Sequence, residues 1–215
     1  QYPVCVIVIA HDYARFFGPS SALSSVDLTG SGWAVGVLLQ PAAGHLLWNR
    51  SVATITDSHV PIEALATIAG ASLCDRVRAC MQPDPTGAAN HKQAIDAVET
   101  SLAALLPVDG DGLEINLLVE MVETDPTIMR VDQLAAAAGI GQRALQRLTR
   151  ERLGLSPKWL IQRRRLHEAV ARIKTGEVSL ADLAHSLGYA DQAHFTRDFA
   201  RVTGTTPGAY LADQR

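Results

Sequence analysis

The sequence predicts an α+β protein: a small β-containing amino-terminal domain followed by an all-α double helix-turn-helix domain. Three observations predict it. Strand-like apolar runs occur only in the first half, the second half is almost continuously helix-forming, and that second half repeats itself at a spacing of about 50 residues, the mark of a supersecondary unit used twice.

In chain order, Val4 to Ile9 and Trp33 to Leu39 read as strands, short runs rich in β-branched residues. The first is broken by His11-Asp12, and the chain holds no apolar run of about eighteen residues, so it reads as a buried strand and no membrane span is expected. The Ala-rich stretches Ile62 to Met81 and Lys92 to Leu106 read as helices. Leu106-Pro107-Val108-Asp109-Gly110-Asp111-Gly112 is rich in Pro, Gly and Asp and separates two differently textured halves. It sets the expected domains at 1–108 and 112–215. Because the chain opens on Gln1 rather than Met, straight into a strand-like run, the first domain is expected to be truncated at its start.

A hydrophobic content of 47% allows a normal core in each of two small domains. Cys5, Cys74 and Cys80 lack metal-ligand spacing and fit a reducing, cytoplasmic setting. The last two, six apart, fall on different faces of a shared helix. His11, His45, His59 and His91 lack the close HxH spacing of a metal site, so neither metal nor cofactor is expected. The net charge of -3 looks unfavourable for a nucleic-acid partner, but charge acts where it sits. Residues 1–110 carry nine acids and five bases, whereas 139–174 carry ten bases and two acids.

The repeat is specific. Leu134-Ala135 with Gly139 returns as Leu183-Ala184 with Gly188, an offset of 49; Leu145-x-Arg147 returns as Phe195-x-Arg197, and Gly154-Leu155-Ser156-Pro157 as Gly204-Thr205-Thr206-Pro207, both at 50. Each copy reads as a short helix, a turn after Gly, a second helix and a restart, with Ser156 and Thr206 as N-caps and Pro157 and Pro207 at the first helical position. Ser179 with Asp182 resembles a capping box, and Asp191 suits an N-cap.

The second helix of the first copy, about Gly141 to Leu153, turns Leu145 and Leu148 inward and places Arg143, Gln146, Arg147 and Arg150 on one face at i, i+3, i+4 and i+7. Arg can donate two hydrogen bonds to guanine in the major groove, Gln can serve adenine, and a neighbouring Arg can hold phosphate. On an isolated helix such a face is more often simply solvated; the turn and the repeat favour DNA. In the second copy, 191–202 buries Phe195, Phe199 and Val202 and leaves Gln192, Ala193, His194, Thr196, Arg197 and Arg201 outside. His194 reads equally as a DNA contact or as a polar residue near the helix start. The candidate DNA-binding residues are therefore Gln142, Arg143, Gln146, Arg147, Arg150, Gln192, Ala193, His194, Thr196 and Arg197. Between the copies, Pro157 to Lys174 forms a long helix with Trp159, Leu166, Ala169 or Val170, and Ile173 as its core stripe. Its Arg163-Arg164-Arg165 triplet reads as phosphate contacts, with at least one member paired to Glu168 or another acid. The long helix would set two recognition helices about one DNA turn, roughly 34 Å, apart.

Leu134-Ala135-x-x-Ala138-Gly139, Leu145-Gln146-Arg147 and above all Gly188-Tyr189-x-Asp191-x-x-His194-Phe195-x-Arg197-x-Phe199-x-Arg201-x-x-Gly204-x-Thr206-Pro207 resemble the AraC/XylS-type regulators over about 100 residues. The resemblance implies base reading from Arg143, Gln146 and Arg147 in the first unit and from Gln192, Ala193, His194 and Arg197 in the second. Two positions depart from the pattern: Gly141 stands where a Ser cap is common, and Thr149 where a Phe usually packs. Gly36 to Ala42 with Ile55 to Glu63 is similar to an uncharacterised amino-terminal domain found on some members. The implied partners are double-stranded DNA, a small-molecule effector or a second copy through the front domain, and RNA polymerase if the protein activates.

The alternative is a DNA-binding domain fused to an enzyme-like front domain of the alkyl-transfer repair type. That chemistry needs a reactive Cys in a basic setting and a zinc-binding Cys cluster, which three scattered cysteines do not supply. A hydrolase-like front domain would need a nucleophile elbow, absent here. The expectation is therefore a regulator and not an enzyme, with ligand sensing and dimerisation both open for the front half.

Overall fold

Ile7, Ile9 and Phe16 are fully buried, whereas Val6, Val8, Arg15 and Phe17 beside them are half-buried or exposed, the period-two pattern of a sheet with one covered face. They belong to β1 (Val6–Ala10) and β2 (Ala14–Phe17), which join β3 (Ala34–Leu38) and β4 (His59–Pro61) in an antiparallel sheet of order β3-β1-β2-β4. Val6 lies opposite both Phe17 and Leu38, which fixes the register. These are features of a computed structural model that describes residues 2–23, 31–175 and 179–213; the expected chain start at Gln1 and domain end at Arg215 lie outside them.

The strands read at 4–9 and 33–39 are present, each trimmed slightly. Two more went unread: β2 is only four residues long, and β4 holds Pro61, which an edge strand tolerates because it lacks an N–H. The short helix α1 (Ala43–Trp48), closed by Asn49 in the left-handed conformation, also gave no clear periodicity.

The helix read from Ile62 to Met81 needs correction. Residues 62–64 form a single 3-10 turn, and α2 starts only at Gly70 and runs to Met81. Leu65 is extended and breaks the helix, and a Cβ on Gly70 would lie 2.4 Å from the Ile62 carbonyl oxygen, so the chain folds back on itself there. α3 (Ala88–Ala103) covers most of the second helix read. Leu73, Val77 and Met81 of α2 and Ala94 and Val98 of α3 cover the buried face of the sheet. Cys74 and Cys80 share α2, with Cys74 buried and Cys80 half-buried.

The rest is helical: α4 (Gly110–Thr124), α5 (Val131–Ala138), α6 (Gln142–Leu153), α7 (Pro157–Thr175), α8 (Leu180–Ser186), α9 (Gln192–Thr203) and α10 (Pro207–Asp213). They enclose two separate cores. Leu134, Leu145 and Leu153 pack with Leu160 and Ile161 from the first half of α7, while Leu183, Phe195 and Phe199 pack with Leu166, Ala169 and Ile173 from its second half. α7 thus belongs to both units, and Trp159, read as part of its core stripe, is only partly buried.

The front half is fastened to the first of these units. Ala42 is buried in its core and donates its N–H to Asn116 Oδ1 at 3.0 Å. Thr56 Oγ1 donates to the Gly154 carbonyl at 2.9 Å, and Trp159 Nε1 donates to the Ser21 carbonyl at 2.8 Å. The Pro/Gly/Asp-rich segment is itself anchored: the Asp109 carboxylate caps α4 through Gly112 N and receives two hydrogen bonds from Arg152, at 3.0 and 2.7 Å. Those bonds hold the Asp109 carboxyl below its ordinary value.

Candidate nucleic-acid interface

The duplication seen in the sequence extends to individual hydrogen bonds. α5 ends where Gly139 (φ 68°) turns left-handed, with Gly139 N donating to the Ala136 carbonyl and Ile140 N to the Ala135 carbonyl. Forty-nine residues on, Gly188 (φ 73°) donates to His185 and Tyr189 to Ala184. This pair of bonds closes a helix and sets the angle at which the next begins, and a positive φ is strained for any residue with a Cβ. α6 and α9 then stop the same way, Gly154 N donating to Arg150 and Gly204 N to Ala200. Ser156 and Thr206 cap the following helices by accepting from Trp159 N and Ala209 N at 3.1 and 3.2 Å.

The starts of the two exposed helices differ. Asp191 Oδ1 accepts from His194 N at 2.6 Å and caps α9, whereas Gly141 offers α6 no side-chain cap. α8 is capped by Ser179, whose Oγ accepts from Asp182 N at 3.1 Å. At the start of α5, Gln133 Oε1 accepts from both Met129 N and Arg130 N at 2.9 Å.

With Leu145, Thr149 and Leu153 turned into the core, α6 exposes Gln142, Arg143, Gln146, Arg147 and Arg150. α9 turns Phe195 and Phe199 inward and exposes Gln192, Ala193, His194 and Arg197. Thr196, the tenth candidate, is half-buried at the edge of that surface. The structure therefore gathers five polar or charged side chains on one helix and four residues on the other, each set opposite a buried stripe. The His194 imidazole, 3.8 Å from the Asp198 carboxylate, is exposed and packs edge-on to the Tyr189 ring.

The Arg163-Arg164-Arg165 triplet is not the phosphate-facing run that its charge implies. Arg163 is buried and donates to Glu123 Oε1 at 2.7 Å. Arg164 is buried as well, donating to the Ile128 carbonyl at 3.1 Å and to Glu168 at 3.4 Å, and desolvation lowers its pKa from the ordinary value. Only Arg165 keeps free of an acid among the described residues; its guanidinium lies 3.9 Å over the Tyr189 ring. Sequence reasoning also missed Arg152, which falls one helical step from the exposed face and turns inward to Asp109 and Asp111. The acids of the linker segment were the available signal.

The fold and this surface define a double helix-turn-helix domain. A helix-turn-helix domain family model matches residues 134–213. A probable transcription factor, PqrA from Proteus vulgaris, is 30% identical over 82 residues, covering 38% of this chain and 67% of that protein. A putative AraC-like transcription regulator from Streptomyces antibioticus is 31% identical over 121 residues, 55% of this chain and 38% of the relative. The chain belongs to the AraC-type family of helix-turn-helix transcriptional regulators. It spans about a third of the length of the first curated relatives it matches. A crystal structure of an apo ToxT variant from Vibrio cholerae aligns with a TM-score of 0.45 at 13% identity, covering 99% of this chain and 86% of that one; the family assignment does not rest on it.

Among the described residues, no group of three His, Cys, Asp or Glu side chains is placed to hold a metal ion, and no helix is long and apolar enough to cross a membrane. Burial pushes the Cys5 thiol up to about 12 and raises that of Cys74, which keeps both protonated at neutral pH.

Proposed function

We propose that this chain is a sequence-specific DNA-binding transcription regulator, with α6 and α9 entering successive major grooves of one duplex. The observation that carries the reading is the repetition, bond for bond, of the turn and stop that present each exposed polar helix face. Such a helix, lying in the major groove with its first residues on base edges, is how this motif reads sequence. Arg143, Gln146 and Arg147 are proposed as base contacts of the first unit, and Gln192, Ala193, His194 and Arg197 of the second. Gln142, Arg150 and Thr196 lie beside them and are assigned to the backbone. The Arg147→Ala and Arg197→Ala variants should each weaken binding to a selected site by about 1 to 3 kcal/mol and relax base preference at the contacted step. Equal loss on selected and random duplexes in a binding titration would reassign them to phosphate.

The division at 1–108 and 112–215 is proposed to be functional, the front part controlling the back. Control by a small molecule is supported by a cavity of about 690 Å³ on the open face of the sheet, lined by Val6, Val8, Phe17, Leu38 and His59 among others. Its lining fits an apolar ligand with one polar end. A thermal-shift screen tests this reading; binding that leaves the melting temperature of a Val8→Asp variant as responsive as wild type would move the effector elsewhere. No catalytic role is proposed, since the relatives are regulators and the buried thiols are not nucleophiles.

A further inference from the structure

We propose that the hollow between the two helix-turn-helix units is a seat for a DNA backbone phosphate, with Lys158 and Arg165 of α7 as its cations. The proposal rests on the groove-binding reading of α6 and α9.

The hollow, about 250 Å³, is walled by Arg130 at the start of α5, by Lys158, Gln162 and Arg165 of α7, and by His194 and Asp198 of α9. Positions 158, 162 and 165 follow the i, i+4, i+7 spacing of one helix face. Both units contribute a wall. His194 belongs to the exposed surface of α9, and the helix that precedes the recognition helix in this motif is the one that crosses the sugar-phosphate backbone. A duplex spanning both recognition helices must pass its intervening backbone across this seam.

The charges at the seam are unequal in how they are met. Arg130 is bound to Asp132 at 2.9 Å, and the Asp198 carboxylate is shared by Gln162 at 2.7 Å, Arg201 at 3.4 Å and His194 at 3.8 Å. Lys158 is exposed and Arg165 half-buried, and neither has a carboxylate within ion-pair distance among the described residues. Arg165 instead stacks on the Tyr189 ring at 3.9 Å, with Nε and Nη2 buried and without hydrogen-bond partners among the described residues. Its neighbours Arg163 and Arg164 both have acids. A guanidinium fixed by a buried ring is pre-organised, and with Nε and Nη2 buried it is the Nη1 side that can donate to a phosphate oxygen. An uncompensated cation in such a place is costly on its own and is stabilised by an arriving anion.

The test uses the full chain, a duplex it selects from a random pool, and a random duplex. Lys158→Gln and Arg165→Gln should each reduce the slope of log affinity against log salt by about 0.9 on both duplexes, with base preference kept. Replacing single phosphates between the half-sites by neutral methylphosphonates should weaken wild type at one or two adjacent positions and weaken the Lys158→Gln variant less at those same positions. Arg165→Gln also removes the Tyr189 stack, so Lys158→Gln, on an exposed side chain, decides the matter if the other fails to fold. Unchanged slopes and unchanged methylphosphonate sensitivity, while Arg147→Ala and Arg197→Ala still weaken binding, would overturn the seat alone. Wild-type chain that binds neither duplex overturns the groove-binding reading with it.

Discussion

Thr149 is fully buried in α6, and its Oγ1 donates to the Leu145 carbonyl at 3.0 Å. That carbonyl already lies within the helical hydrogen-bond ladder, so a Thr149→Val variant leaves no orphaned acceptor and should change stability by less than about 1 kcal/mol in urea unfolding. Thr149→Phe restores the bulk common in this family at that position, but in a core closed around Thr it should cost about 1 to 3 kcal/mol through overpacking. A Phe variant as stable as wild type would show that this core has room to spare. Asp109 gives a second residue-scale prediction. Arg152 holds its folded pKa below the unfolded value of about 3.9, so the stabilisation is present above that pH and is lost as pH falls through the folded value. Asp109→Asn should therefore lower the urea midpoint at pH 7, and the gap to wild type should narrow at pH 3. An equal gap at both pH values would show that the charge of Asp109 is not what stabilises the fold, since asparagine retains the capping oxygen.

The elements differ in how their stops are used. Gly139 closes α5 with nothing within 4 Å of where its Cβ would point, whereas a Cβ on Gly154 would lie 2.4 Å from Thr56 Oγ1 and 3.0 Å from the Val52 carbonyl oxygen. Both have positive φ, so alanine at either costs roughly 1 to 2 kcal/mol for the left-handed conformation. Gly154→Ala must in addition displace backbone of the front half, and should be the more destabilising of the two by chemical denaturation. Equal losses would mean that the front half yields without cost at this contact. Through Gly154, whose carbonyl accepts from Thr56, the end of α6 is where the front half touches this exposed helix.

At the scale of the whole molecule, α7 serves both helical cores and so fixes the separation of the two exposed faces. If α6 and α9 read successive grooves about 34 Å apart, inserting roughly five base pairs between the half-sites turns the second groove to the far side of the duplex. Affinity measured by titration should then fall to that of one unit on its own, and restoring a full turn should not recover it because α7 cannot lengthen. Binding unaffected by the insertion would mean that a single unit carries recognition. Log affinity should also fall steeply and linearly with log salt, as expected when several basic side chains displace condensed counterions.

The sequence by itself determined the helical half: apolar spacing, glycine at each turn and Ser, Thr or Asp at the caps of α7 to α10 are local signals, and they agree because the same unit occurs twice. It also determined which faces of α6 and α9 are polar, since the positions of Leu145 and Phe195 fix the inward direction and everything opposite follows from helical geometry. Only the tertiary structure decided which charges remain available. Arg150 and Arg152 differ by two positions and are alike in chemistry, yet one is exposed and the other reaches Asp109 across 43 residues of chain. Within the triplet, Glu123 and Glu168 take up two arginines and Tyr189 holds the third. The short strands β2 and β4 and the false start at Ile62 fall under the same account. β4 is set by pairing with β2 far earlier in the chain (Phe17↔His59), whereas β2 forms by a short hairpin with β1 and the fold-back at Gly70 meets Ile62; these are backbone contacts, and no side-chain period records them.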